Sequence, residues 1–62
     1  MNEKKFEYCG YVIEITEHPI YHDFEFIIKT ADEKTVVGTN THFIDSYEAA
    51  EIEARMFIND LK

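Results

Sequence analysis

The chain is poor in the residues that cross-link or break a fold. Among 62 residues there are one cysteine, one proline and two glycines. With Cys9 alone, no internal disulfide forms, and a framework of the kind used by small secreted domains is excluded. Long apolar runs are missing too. The uninterrupted ones, such as Tyr11-Val12-Ile13, fall far short of the ~20 residues that a membrane-spanning helix needs. Met1-Asn2-Glu3-Lys4-Lys5 leads into Phe6-Glu7-Tyr8 and not into an apolar stretch, so no signal peptide is read. Together these absences make the cytoplasm the expected location. Positive charge is also scarce, with 6 basic against 13 acidic residues and a net charge of -7. That excess repels phosphates, which argues against direct binding to nucleic acid and to anionic membranes. It suits a basic surface on another protein, although solubility alone accounts for it as well.

Apolar side chains are plentiful by contrast: 45% of residues are hydrophobic, and there are five Phe and four Tyr. A single domain over residues 1–62 is expected, with 1–5 frayed. A chain of this size buries only about 60% of its unfolded surface, and self-association is a common supplement to so small a core. The apolar pattern changes period at Asp45-Ser46. Before it, residues alternate, as in Tyr11-Val12-Ile13-Glu14-Ile15-Thr16 and Phe24-Glu25-Phe26-Ile27-Ile28-Lys29. After it, they recur at Tyr47, Ala50, Ala54, Phe57, Ile58 and Leu61, a helical spacing.

The alternation predicts strands over 6–17, 24–30 and 35–41. Cys9-Gly10 interrupts the first strand and reads as a bulge or tight bend, with two pieces as the alternative to one, and Gly38 reads as a bulge in the third. On the third strand Val37, Thr39 and Thr41 are expected on one face. Short polar connections at 17–23 and 31–34 favour an antiparallel meander. Asp45 reads as the helix N-cap with Glu48 at N3, and Ser46 as the competing cap. The expected fold class is α+β, a three-stranded antiparallel sheet (βββα) with one C-terminal helix on one face. Its core would join Tyr47, Ala50, Ala54, Phe57, Ile58 and Leu61 to Ile13, Ile15, Phe24, Phe26, Ile28 and Val37.

A helix packed on one sheet buries one side only. The residues left over are Ala49, Ile52 and Met56, bordered by Glu48, Glu51 and Glu53, and they are the candidate partner-binding or dimer surface. The outer sheet face, with Val12 and Ile27 among Glu14, Thr16, Glu25 and Lys29, is the rival surface. Open sheet edges offer a third route, by strand addition. Spaced acids at Glu48, Glu51, Glu14 and Glu25 are able to imitate nucleic-acid phosphates toward another protein.

No catalytic or cofactor motif is present, so neither an enzyme activity nor a cofactor is assigned. His18, His22 and Asp23 are residue types that zinc accepts, but Pro19 between the histidines spoils the helical spacing, and no metal is assigned. Cys9 beside Gly10 reads as a buried or half-buried thiol, not as a nucleophile. The most direct functional expectation is a non-enzymatic protein-interaction module, with a homodimer as one form of that interaction. An antitoxin-like or regulatory module is the alternative, and a small enzyme or metal-binding protein comes last.

Family likeness gives this expectation a sharper form. Phe24-x-Phe26-x-Ile28-Lys29-x-Ala31, Val36-Val37 and Phe43-x-x-Ser46 resemble the YegP-type domains of unknown function over roughly residues 21–50. The match departs at Asp32-Glu33, where those domains usually carry Asn-Gly. The helix start Ser46-Tyr47-Glu48-Ala49 is similar to that of HicB-type antitoxins. Neither resemblance implies a catalytic residue. In size and charge the chain resembles phage-encoded inhibitors of host defence, including anti-CRISPR and anti-restriction proteins. That likeness implies a phage or mobile-element inhibitor acting on a nucleic-acid-binding host protein.

Overall fold

The computed structural model describes residues 3–61, with the side chains of all but 41–43. Its elements are β1 (Glu3–Tyr8), β2 (Tyr11–Glu17), β3 (Phe24–Thr30), β4 (Val36–Ile44) and α1 (Tyr47–Leu61). The strands form one antiparallel sheet in the order β1-β2-β3-β4. The α+β class, the meander and the C-terminal helix agree with the sequence. The expected three strands do not: there are four.

The difference arises at Cys9-Gly10. Their φ angles are 52° and 84°, and positive φ at both central residues is the condition of a type I′ hairpin turn. The chain therefore reverses there, and Tyr8 faces Tyr11 across the turn. Cysteine is not a typical residue at the first turn position, which is why the pair read as a bulge or bend and the sheet was counted with three strands. At the tip of a hairpin, Cys9 is exposed, which corrects its expected burial. Glu3, Lys4 and Lys5, expected to fray, instead pair with Thr16, Ile15 and Glu14. Met1 and Asn2 lie outside the described residues.

The other two connections close on polar bonds. Between β2 and β3, His18 N–H donates to Asp23 O at 2.7 Å, and His22 takes up a left-handed φ of 58°. Between β3 and β4, Asp32 Oδ1 accepts from Thr30 Oγ1 at 2.5 Å and from Lys34 N–H at 3.0 Å. The Thr30 hydroxyl first, and then the Lys34 amide, hold the Asp32 carboxyl below its ordinary range.

β4 is irregular. Phe24 pairs with Ile44 and Phe26 with Asn40, while Ile28 pairs with Gly38 and Lys29 with Val36, so the register shifts twice. Val37 is the extra residue of the second shift. The expected shared face of Val37, Thr39 and Thr41 is lost there, because a bulge breaks the alternation. Gly38 and Asn40, not Thr39, stand opposite the core residues Ile28 and Phe26. The Thr41 side chain lies outside the described residues.

α1 covers β2, β3 and β4 and starts where the period changed. Ser46 Oγ accepts from Ala49 N–H at 3.1 Å, so Ser46 is the N-cap. Asp45 is not, and Glu48 consequently sits one place short of a capping box. The core joins Ile13, Ile15, Phe26, Ile28 and Ile44 to Ala50, Ala54 and Ile58. Ala50 and Ala54 are fully buried, and their small side chains let the helix backbone approach the sheet.

Two expected core residues sit elsewhere. Phe57 is 36% exposed and Leu61 47% exposed. The Phe57 ring lies over Gly38 so closely that a Cβ on that glycine would collide with Phe57 Cζ. The ring fills the space of the missing side chain, with one side on the sheet and the other toward solvent. Ile44, unassigned by the sequence pattern, is buried in the core instead.

Candidate functional site

The six residues proposed for partner binding do not all share one surface. Ile52 and Met56 are 56% and 58% exposed, and Glu48 and Glu53 are exposed with them. Ala49 is half-buried and packs at the core margin. Glu51 is half-buried, and its Oε2 lies 3.5 Å from Arg55 Nη2 one turn later. The outward surface is thus Glu48, Ile52, Glu53 and Met56.

The two flanks of α1 differ. On the β1 side, the Arg55 guanidinium stands 6.0 Å from the Phe6 ring centroid and 5.4 Å from that of Tyr8. Tyr8 Oη donates to Asn59 Oδ1 at 3.2 Å. Arg55 also faces Glu51, so this flank is occupied and balanced in charge. On the β4 side, a groove of about 500 Å³ is lined by Phe26, Thr39, Asn40, Glu53, Met56, Phe57 and Asp60. Asn40 Nδ2 donates to Glu53 Oε1 at 3.3 Å, linking strand and helix at the rim. Phe26 is buried and Phe57 half-exposed, and the Glu53 and Asp60 carboxylates are exposed beside them.

Of the residues singled out by sequence, only Glu53 and Met56 line this groove. Phe57 was missed because its helical spacing assigned it to the core. The available signal was Gly38, which leaves an opening for a ring on the inner face of β4. Thr39, Asn40 and Asp60 carried no sequence signal, since their meeting depends on the β4 bulges.

The acids do not form a uniform negative face. Glu14 Oε2 is sealed from solvent and lies 2.7 Å from Lys29 Nζ, outside hydrogen-bond geometry. Val12, only 5% exposed on the same outer sheet face, has Glu7 and Lys29 as cross-strand neighbours. Glu33 pairs with Lys5 across to β1. His18 and His22 have local partners: His18 Nδ1 accepts from Ile20 N–H at 3.4 Å, and His22 Nδ1 lies 3.4 Å from Glu17 Oε2. Among the described residues no three His, Cys, Asp or Glu side chains converge as metal ligands. Burial, with the Glu51 charge adding and Arg55 opposing, raises the Tyr47 hydroxyl above its ordinary value. Tyr47 braces the core margin, with its ring edge-on to Phe24 at 6.4 Å.

No protein-family model, curated protein or solved structure matches this chain. Among the described residues, no helix is long and apolar enough to cross a membrane.

Proposed function

We propose that the protein is a non-enzymatic protein-binding module whose partner docks on the outer side of α1 and into the groove beside β4. The observation that carries this reading is the groove itself. Phe57 and Met56 supply exposed apolar surface over Phe26, and Glu53 and Asp60 place carboxylates at its rim. Such a site suits a segment with an apolar anchor flanked by Lys or Arg. Basic surfaces are common on nucleic-acid-binding proteins. The sharper form of the proposal is therefore a phage or mobile-element inhibitor that acts on such a host protein in the cytoplasm. An antitoxin-like or regulatory module, in line with the HicB-type helix start, is the alternative use of the same face.

The test is comparative capture from host lysate with quantitative mass spectrometry. A partner that uses this site is retained by the wild type and released by salt. It is lost with Met56→Glu and weakened with Glu53→Lys together with Asp60→Lys. Every captured protein being retained equally by these folded variants would remove the groove from the account.

A further inference from the structure

The sheet has two open edges, and they are not alike. β4 carries two register shifts, which bend an edge and discourage further pairing. β1 pairs with β2 over six consecutive residues without a break. A straight edge of this kind presents unpaired backbone donors and acceptors to another strand. Tyr8 and Tyr11 flank a two-residue turn, so they are a hydrogen-bonded pair, and by alternation so are Phe6 with Ile13 and Lys4 with Ile15. The backbone N–H and C=O groups of Glu3, Lys5 and Glu7 therefore point away from the sheet.

We infer that a second copy of this chain pairs antiparallel along β1, with Lys5 opposite Glu7 of the second copy and Phe6 opposite Phe6. The two sheets become one of eight strands about a two-fold axis normal to it, with both helices on the same side. Charge selects this register. It sets two Lys5–Glu7 pairs on the outer face and Lys4 against Tyr8 on the helix face. Sliding the second copy by two residues one way puts Lys5 against Lys5 and Glu3 against Glu7. Sliding it the other way puts Glu7 against Glu7. Like charges directly opposite one another destabilise a strand pair.

Two further observations favour a second copy over an unrelated strand. The chain carries a net -7, yet Glu3, Lys4, Lys5 and Glu7 sum to zero, so β1 is a place where two copies meet without net repulsion. The helix flank above it is balanced as well, because Arg55 is paired with Glu51. Lys5 bonds Glu33 in the monomer, and an ammonium with three donors has room for Glu7 of the second copy. Pairing adds about four backbone hydrogen bonds and leaves the outer side of α1 open.

Sedimentation equilibrium from low micromolar to millimolar concentration tests the inference. The weight-average mass should rise from 7.3 kDa toward twice that value. Glu7→Pro removes an outward N–H without taking a bond from β2, and it should hold the mass at the monomer with an unchanged circular dichroism spectrum. Lys5→Glu should weaken the dimer about tenfold, with two attractive pairs made repulsive. Adding Glu7→Lys to that variant should restore it, and this charge reversal decides the matter if the proline variant does not fold. A monomer at every concentration would overturn the inference. So would a dimer that survives both Glu7→Pro and Lys5→Glu.

Discussion

Cys9 decides the strand count, and it does so from an uncomfortable conformation. At a φ of 52° a non-glycine residue crowds its own backbone. Asparagine tolerates that region better and is the preferred first residue of a type I′ turn. Cys9→Asn should therefore raise stability by about 0.5–1 kcal/mol, read as a higher melting temperature. A bulge within one continuous strand would gain nothing from that substitution. Gly10 was legible as a break because only glycine relaxes φ so freely. Cys9 was not, because its turn role is imposed by the pairing of the strands on either side. Asp32 offers a second test at this scale. Its folded carboxyl is held below the ordinary 3.8 by Thr30 and Lys34, so folding gains while it is ionised. That gain is complete above the unfolded value and is lost as pH falls below it. Asp32→Asn should flatten the acid limb of the melting-temperature curve below about pH 4, and an unchanged limb would remove Asp32 from the acid response.

Among the elements, α1 was the most legible, because its period and polar start are local properties of the chain. Its details were less so. Ser46 and Asp45 both make good caps, and only the 3.1 Å bond from Ala49 N–H to Ser46 Oγ separates them. Phe57 and Ile58 are adjacent and both fit an apolar stripe, yet Ile58 is fully buried and Phe57 rests half-exposed on Gly38. Ile58→Ala should cost about 2–5 kcal/mol. Phe57→Ala should cost less than Ile58→Ala, and less than the about 3–5 kcal/mol of a buried phenylalanine, because its ring keeps one side in water. Chemical denaturation of the two variants compares them directly. A larger loss for Phe57 would mean that the ring closes the core after all. β4 was the least legible element, since its register shifts twice, and the one-residue shift at Val37 moves the side chains beyond it to the other face.

For the whole molecule, the groove on the β4 side of α1 and the open edge of β1 lie on opposite flanks of the helix. Partner binding and self-pairing therefore need not compete. Glu7→Pro should abolish the dimer while leaving partner capture intact, and Met56→Glu should do the reverse. Loss of both properties from either single variant would mean that one surface serves both. The candidate site was only partly readable. Ile52, Met56, Glu48 and Glu53 stand outside because α1 has one face to bury. Ala49 and Glu51 shared their helical pattern but turn to the core margin and to Arg55. The class was written in local pattern: alternation made antiparallel strands, and a helical period after Asp45 made α1. Packing between elements settled that there are four strands, that Phe57 covers Gly38, and that Glu53 meets Asn40 at a groove which Asp60 also lines. Periodicity reports which side of its own element a residue occupies. Which residues of different elements meet depends on register, and register is settled by turns and bulges whose conformations the packed sheet imposes.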